Sequence, residues 1–122
     1  MSSMREFVQT VDKLIELTQI GSLDWARYDP PRSLTGSGNR VDFVYDAEYE
    51  GQDIRVYEHF YKSYHDEYEY QWNSEVVIEL IDSYGVATFR FPATRNSRDL
   101  LRAIQYEKSG VADFLNKFNK KN

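Results

Sequence analysis

The chain has 122 residues, 41% apolar and 16% aromatic, which is enough for one hydrophobic core and too few for two domains of ordinary size. It contains no cysteine, so disulfides, thiolate metal sites and cysteine nucleophiles are excluded, a usage that fits a reducing compartment. A net charge of −5 argues against general binding to phosphate backbones.

The opening MSSMREF lacks the apolar run of a secretory signal, and no stretch approaches the length of a membrane span. A cytoplasmic location is therefore the expectation. Between Arg5 and Ile20, Phe7, Val8, Val11, Leu14, Ile15 and Leu17 recur mostly at three and four residues, the period of an amphipathic helix, and Gly21 is a natural stop. Leu23 and Trp25 then anchor the chain. The stretch from Asp29 to Asn39 has the proline, glycine and serine content of a mobile loop.

From Val41 the period changes to two. Val41, Phe43, Tyr45, Ala47 and Tyr49 alternate with polar residues, as in a strand with one dry and one wet face. Gly51-Gln52 fits a two-residue hairpin turn that pairs Glu50 with Asp53 and returns Ile54, Val56 and Phe60 on the dry face. A third run from Tyr68 to Ile81 puts Tyr70, Trp72, Val76, Ile78 and Leu80 on that face, with a bulge expected near Asn73-Ser74 because the run is long for one strand. Val86 to Phe91 supplies a fourth strand ended by Pro92. Asn96 or Ser97 caps a last helix carrying Leu100, Leu101 and Ile104, and Gly110 interrupts it before Val111, Phe114, Leu115 and Phe118. The expected fold is a single α+β domain over residues 1–122. A four-stranded antiparallel meander carries an N-terminal helix and a C-terminal helical segment on one face, and residues 1–3 and 119–122 fray. The segments LIELTQIGSLDW and DLLRAIQYEKSGVADFL, bracketing a tyrosine-rich strand region, resemble a kind of short bacterial protein of unknown function, common in cyanobacteria, with this helix–sheet–helix order. The resemblance implies the fold and supplies no catalytic residues.

Charge is distributed unevenly. Residues 41–82 hold twelve acids against Arg55 and Lys62, whereas residues 95–122 hold seven bases against three acids. The basic end lacks a recognition-helix signature, and the acidic middle would repel a duplex, so nucleic acid is not the expected partner. His59, His65, Asp66 and Glu67 are metal-ligand types, but His59 lies several residues down a strand from the turn that holds the others, and no metal or cofactor is expected. No GxSxG elbow or phosphate loop is present, so catalysis has no visible apparatus.

The wet sheet face is the candidate site. Asp46, Glu48, Glu75 and Glu79 gather there with Tyr57, His59 and Tyr61, a combination of rings and carboxylates suited to a basic protein partner. The expected function is a non-enzymatic interaction module, an adaptor or an inhibitor of immunity-protein type. Glu58 interrupts the dry row between Val56 and Phe60, and marks the alternative: a small-molecule or catalytic pocket between sheet and helices.

Overall fold

The computed structural model describes residues 2–120. Ser3 opens the first helix, α1 (Met4–Gln19), through a capping box: its hydroxyl accepts from the Glu6 backbone N–H while the Glu6 carboxylate accepts from the Ser3 N–H. The apolar stripe buries Val11 and Leu14, and Thr18 closes the buried face. Trp25, 1% exposed, donates its indole N–H to the Thr18 hydroxyl at 3.0 Å, which fixes the chain where it leaves the helix.

Six strands follow, two more than the pattern suggested: β1 (Ala26–Tyr28), β2 (Asn39–Arg40), β3 (Val44–Tyr49), β4 (Gln52–Tyr64), β5 (Tyr70–Ile81) and β6 (Ala87–Arg90). All pairings are antiparallel, in the order β1-β3-β4-β5-β6, with β2 also on β4. Two helices end the chain, α2 (Ser97–Ser109) and α3 (Val111–Lys120), separated by Gly110 at φ +73°. The fold is α+β with an antiparallel sheet. No helix is long and apolar enough to cross a membrane among the described residues. Of the ends expected to fray, residues 1, 121 and 122 lie outside the described residues, Ser3 caps α1, and Asn119 and Lys120 complete α3.

The first hairpin departs from the expected register by two residues. Tyr49 pairs with Gln52 and Ala47 with Ile54, so the turn residues are Glu50 and Gly51, at φ +49° and +85°. Both central residues have positive φ, as a type I′ turn demands, and glycine takes the second position at no steric cost. A shift of two leaves every side chain on its expected face. The bulge expected at Asn73-Ser74 is absent, because β4 and β5 pair without interruption from Asp53–Ile81 to Tyr64–Tyr70, and the irregularity lies instead at Leu80-Ile81 against β6.

The main core lies between the inner sheet face and α1 with α2: Val11, Leu14, Trp25, Tyr45, Val56, Ile78, Leu100, Leu101 and Ile104. Asn96 ties the helices together by donating to the Val8 carbonyl at 3.0 Å and the Asp12 carboxylate at 2.7 Å, instead of capping its own helix. A second, smaller cluster forms on the outer face from Val41, Val44, Tyr57 and Val77. Between the β2–β4 pair Arg40–Phe60 and the β3–β4 pair Val44–Tyr57, three residues oppose two, so the chain bulges there and Val41 turns to the outer face rather than the expected inner one. Leu34, in a short 3-10 turn (Arg32–Leu34) within the glycine- and proline-rich segment, packs on this cluster.

Candidate functional site

The outer face gathers Asp46, Glu48, Tyr57, His59, Tyr61, Glu75 and Glu79, and its strand register fixes their neighbours. Asp46 is opposite Arg55, Tyr57 is flanked by Val44 and Val77, His59 is opposite Glu75, and Glu79 lies between Arg55 and Arg90. These residues engage one another. Arg55 makes a two-pronged bond to Asp46, at 2.9 Å through Nε and 3.1 Å through Nη2, and donates through Nη1 to the Gly85 carbonyl at 3.2 Å. The hydrogen bond to Asp46 holds the Arg55 guanidinium above its ordinary pKa. His59 has Glu75 at 3.0 Å on Nδ1 and Asn39 at 2.8 Å on Nε2, and its ring stacks on Tyr61.

Tyr57 donates to Glu79 at 2.7 Å, and Arg90 approaches both, at 3.4 Å from the phenol oxygen and 3.5 Å from the carboxylate. Burial beneath Leu34, then the bond to Glu79, push the Tyr57 hydroxyl from its ordinary 10.0 up to about 12. The Tyr57 ring is only 1% exposed, so it offers a partner no contact area here. Glu48 and Asp53 differ: paired with each other across β3 and β4, they line an open cleft with Asp24 and Tyr28, and no cation among the described residues engages their carboxylates.

Glu58 is on the inner face, as its position predicts, and bonds Arg98 at 2.8 Å rather than Arg102. It borders a cavity of about 120 Å³ with Asp42, Tyr45, Phe60 and Leu101. Ligand pockets usually measure about 300 to 1,000 Å³. A larger groove, about 570 Å³, runs between α1 and the first-hairpin end of the sheet, lined by Leu14, Leu17, Ile54, Leu80 and Phe91 together with Glu6 and Lys13. His65, Asp66 and Glu67 form a turn in which the Asp66 carboxylate accepts from the Tyr68 and Glu69 N–H groups. No three His, Asp or Glu side chains among the described residues are placed to hold a metal ion.

The inner face beyond the helices carries a second constellation. Parity places Phe60, Tyr70 and Trp72 on this face, and the expectation that helices cover them is corrected: Tyr70 is 48% and Trp72 46% exposed, while Tyr68 precedes β5 and stands in the turn. Tyr64 and Tyr70 face each other across the strands at 5.7 Å between ring centroids, and Tyr70 meets Trp72 edge-on at 6.4 Å. Cations sit over the rings: Arg40 lies 4.2 Å from the Phe60 centroid, Lys62 lies 4.4 Å from Tyr70, and Arg27 lies 4.4 Å from Phe43. A signal for this surface was present in the chain. Lys62 occupies an inner position between Phe60 and Tyr64, and a charge in a dry row must either find a partner or reach open surface. Comparison of the chain with protein-family models, with curated proteins and with solved structures finds no match, so the functional reading rests on these side chains alone.

Proposed function

We propose that the chain is a non-enzymatic interaction module that binds another polypeptide through the uncovered aromatic face of the β4–β5 hairpin. The observation that carries this reading is the run of exposed Tyr64, Tyr70 and Trp72 beside Arg40 and Lys62. Tyrosine, tryptophan and arginine are the residue types that dominate binding energy at protein interfaces. Cation–π contacts already hold these side chains in place, which lowers the ordering cost of association. The cavity at Glu58, at about 120 Å³, is smaller than an ordinary ligand pocket, which supports an interaction role over a ligand or catalytic pocket at that position.

A second reading keeps the acidic outer face for a basic partner, as for an inhibitor of immunity-protein type or an adaptor. It is favoured by the open cleft at Asp24, Glu48 and Asp53, because Asp46, Glu75 and Glu79 spend their charge within the protein. Affinity capture with three baits separates the two: wild type, Tyr70→Ser/Trp72→Ser, and Glu48→Lys/Asp53→Lys. Loss of a bound protein with the aromatic double variant alone supports the first reading. Loss with the lysine double variant alone refutes it in favour of the second.

A further inference from the structure

α3 has an apolar stripe of its own. Val111, Phe114, Leu115 and Phe118 recur at the spacing of one helix face, and Phe114, Leu115 and Phe118 are 62%, 43% and 60% exposed. Asp113 and Lys120 fall on the opposite side. A helix of ten residues is marginal in water unless tertiary contacts cover its apolar face. The same chain therefore presents two uncovered apolar surfaces, the α3 stripe and the hairpin rings.

We infer that these two surfaces are partners, and that a second copy of the chain supplies the contact: α3 of one protomer lies on the hairpin face of the other, reciprocally about a two-fold axis. This deepens the reading of the hairpin face given above and rests on it. Two arguments favour a second copy over the chain's own α3. Gly110 alone separates α2 from α3, whereas an antiparallel helix pair needs a connection of about 2–5 residues, so α3 is not free to fold back along α2. The areas point the same way. Taking about 200 Å² for a fully exposed aromatic side chain, α3 offers roughly 300 Å² and the hairpin face made by Tyr64, Tyr70 and Trp72 roughly 300 Å². A single such contact buries about 600 Å², the range of incidental contacts, whereas a reciprocal pair buries about 1,200 Å², the lower bound of specific interfaces.

Light scattering coupled to gel filtration, run across the micromolar range, tests the pairing. The wild type is expected at twice the 14.4 kDa chain mass. Phe114→Ser/Phe118→Ser and Tyr70→Ser/Trp72→Ser each remove one surface without touching the buried core, and each is expected to weaken association about 30-fold or more. An equimolar mixture of the two variants keeps only one of the two reciprocal contacts and is expected to associate more weakly than the wild type but more tightly than either variant alone. A monomeric wild type, or an α3 variant that stays dimeric, overturns the inference. If the wild type is monomeric and the α3 substitutions change Trp72 fluorescence, α3 packs within its own chain and the second copy is refuted. If it is monomeric and the aromatic double variant still loses a captured protein, only the second copy fails and the interaction reading stands.

Discussion

Removing one oxygen atom from Tyr57 has consequences that fade as pH rises. In Tyr57→Phe the ring still fills its site under Leu34, but Glu79, 5% exposed, loses its 2.7 Å donor and keeps only Arg90 at 3.5 Å. A hydrogen bond to a charged group contributes about 1.5–3 kcal/mol, so the variant should be less stable by about 2 kcal/mol near neutral pH. At high pH the wild type carries a burden that the variant lacks. The Tyr57 hydroxyl ionises near 10.0 when unfolded and near 12 when folded, because the buried site resists the charged form and Glu79 accepts the proton's hydrogen bond. The folded state therefore holds the proton more tightly, and that contribution, intact below pH 10, is lost as pH rises toward about 12. Two pH units correspond to about 3 kcal/mol. All other side chains are common to the two proteins, so the difference isolates Tyr57. Urea unfolding of both proteins at neutral pH and at steps from about pH 9 to 12 measures the gap, with unchanged m-values showing that the same surface unfolds. The gap should shrink to near zero by about pH 12. A gap that is already below about 0.5 kcal/mol at neutral pH, or one that stays constant up to about pH 12, refutes this account of the buried pair.

Asp46→Ala leaves the Arg55 guanidinium, with a side chain 11% exposed, holding only the Gly85 carbonyl. A loss of about 3–5 kcal/mol in chemical denaturation is expected, as for other buried pairs broken on one side. Thr18→Val removes the acceptor of the Trp25 indole N–H and should lower stability by about 1–3 kcal/mol, with a shift in Trp25 fluorescence that reports the unpaired indole. Glu58→Gln is the contrast: its partner Arg98 has a side chain 41% exposed, so thermal unfolding should register less than about 1 kcal/mol, and a much larger loss would mean that Glu58 is held by more than this ion pair.

The faces of the sheet were readable from the chain even where the register was not. Shifting the first hairpin by two residues left Tyr45, Ala47, Ile54 and Val56 in the core, because the side-chain period of a strand is also two. Val41 is the exception that a bulge explains, since one inserted residue reverses the parity of everything before it. Glu58 stood out as a charge in the dry row and Lys62, four residues on in the same row, did not; the structure separates them by what lies above, because α2 supplies Arg98 to Glu58, whereas Lys62 lies beyond the helices among open rings.

Local periodicity determined the helices, the four longer strands, most of their faces and the α+β class, because these depend on neighbours within a few residues. Tertiary structure decided which parts of each face are covered. β4 has 13 residues, about 43 Å at strand rise, whereas α1 and α2, of 16 and 13 residues, are only about 24 and 20 Å long, so part of the dry face at Tyr70 and Trp72 is left open. On the other side, Leu34 closes over Tyr57, and Arg55 and Arg90 neutralise carboxylates that a count of charges leaves free. Parity is a property of one strand. Coverage and charge pairing depend on residues brought together from distant parts of the chain, and for that reason the acidic, tyrosine-bearing face became an internal network and the aromatic hairpin became the exposed surface.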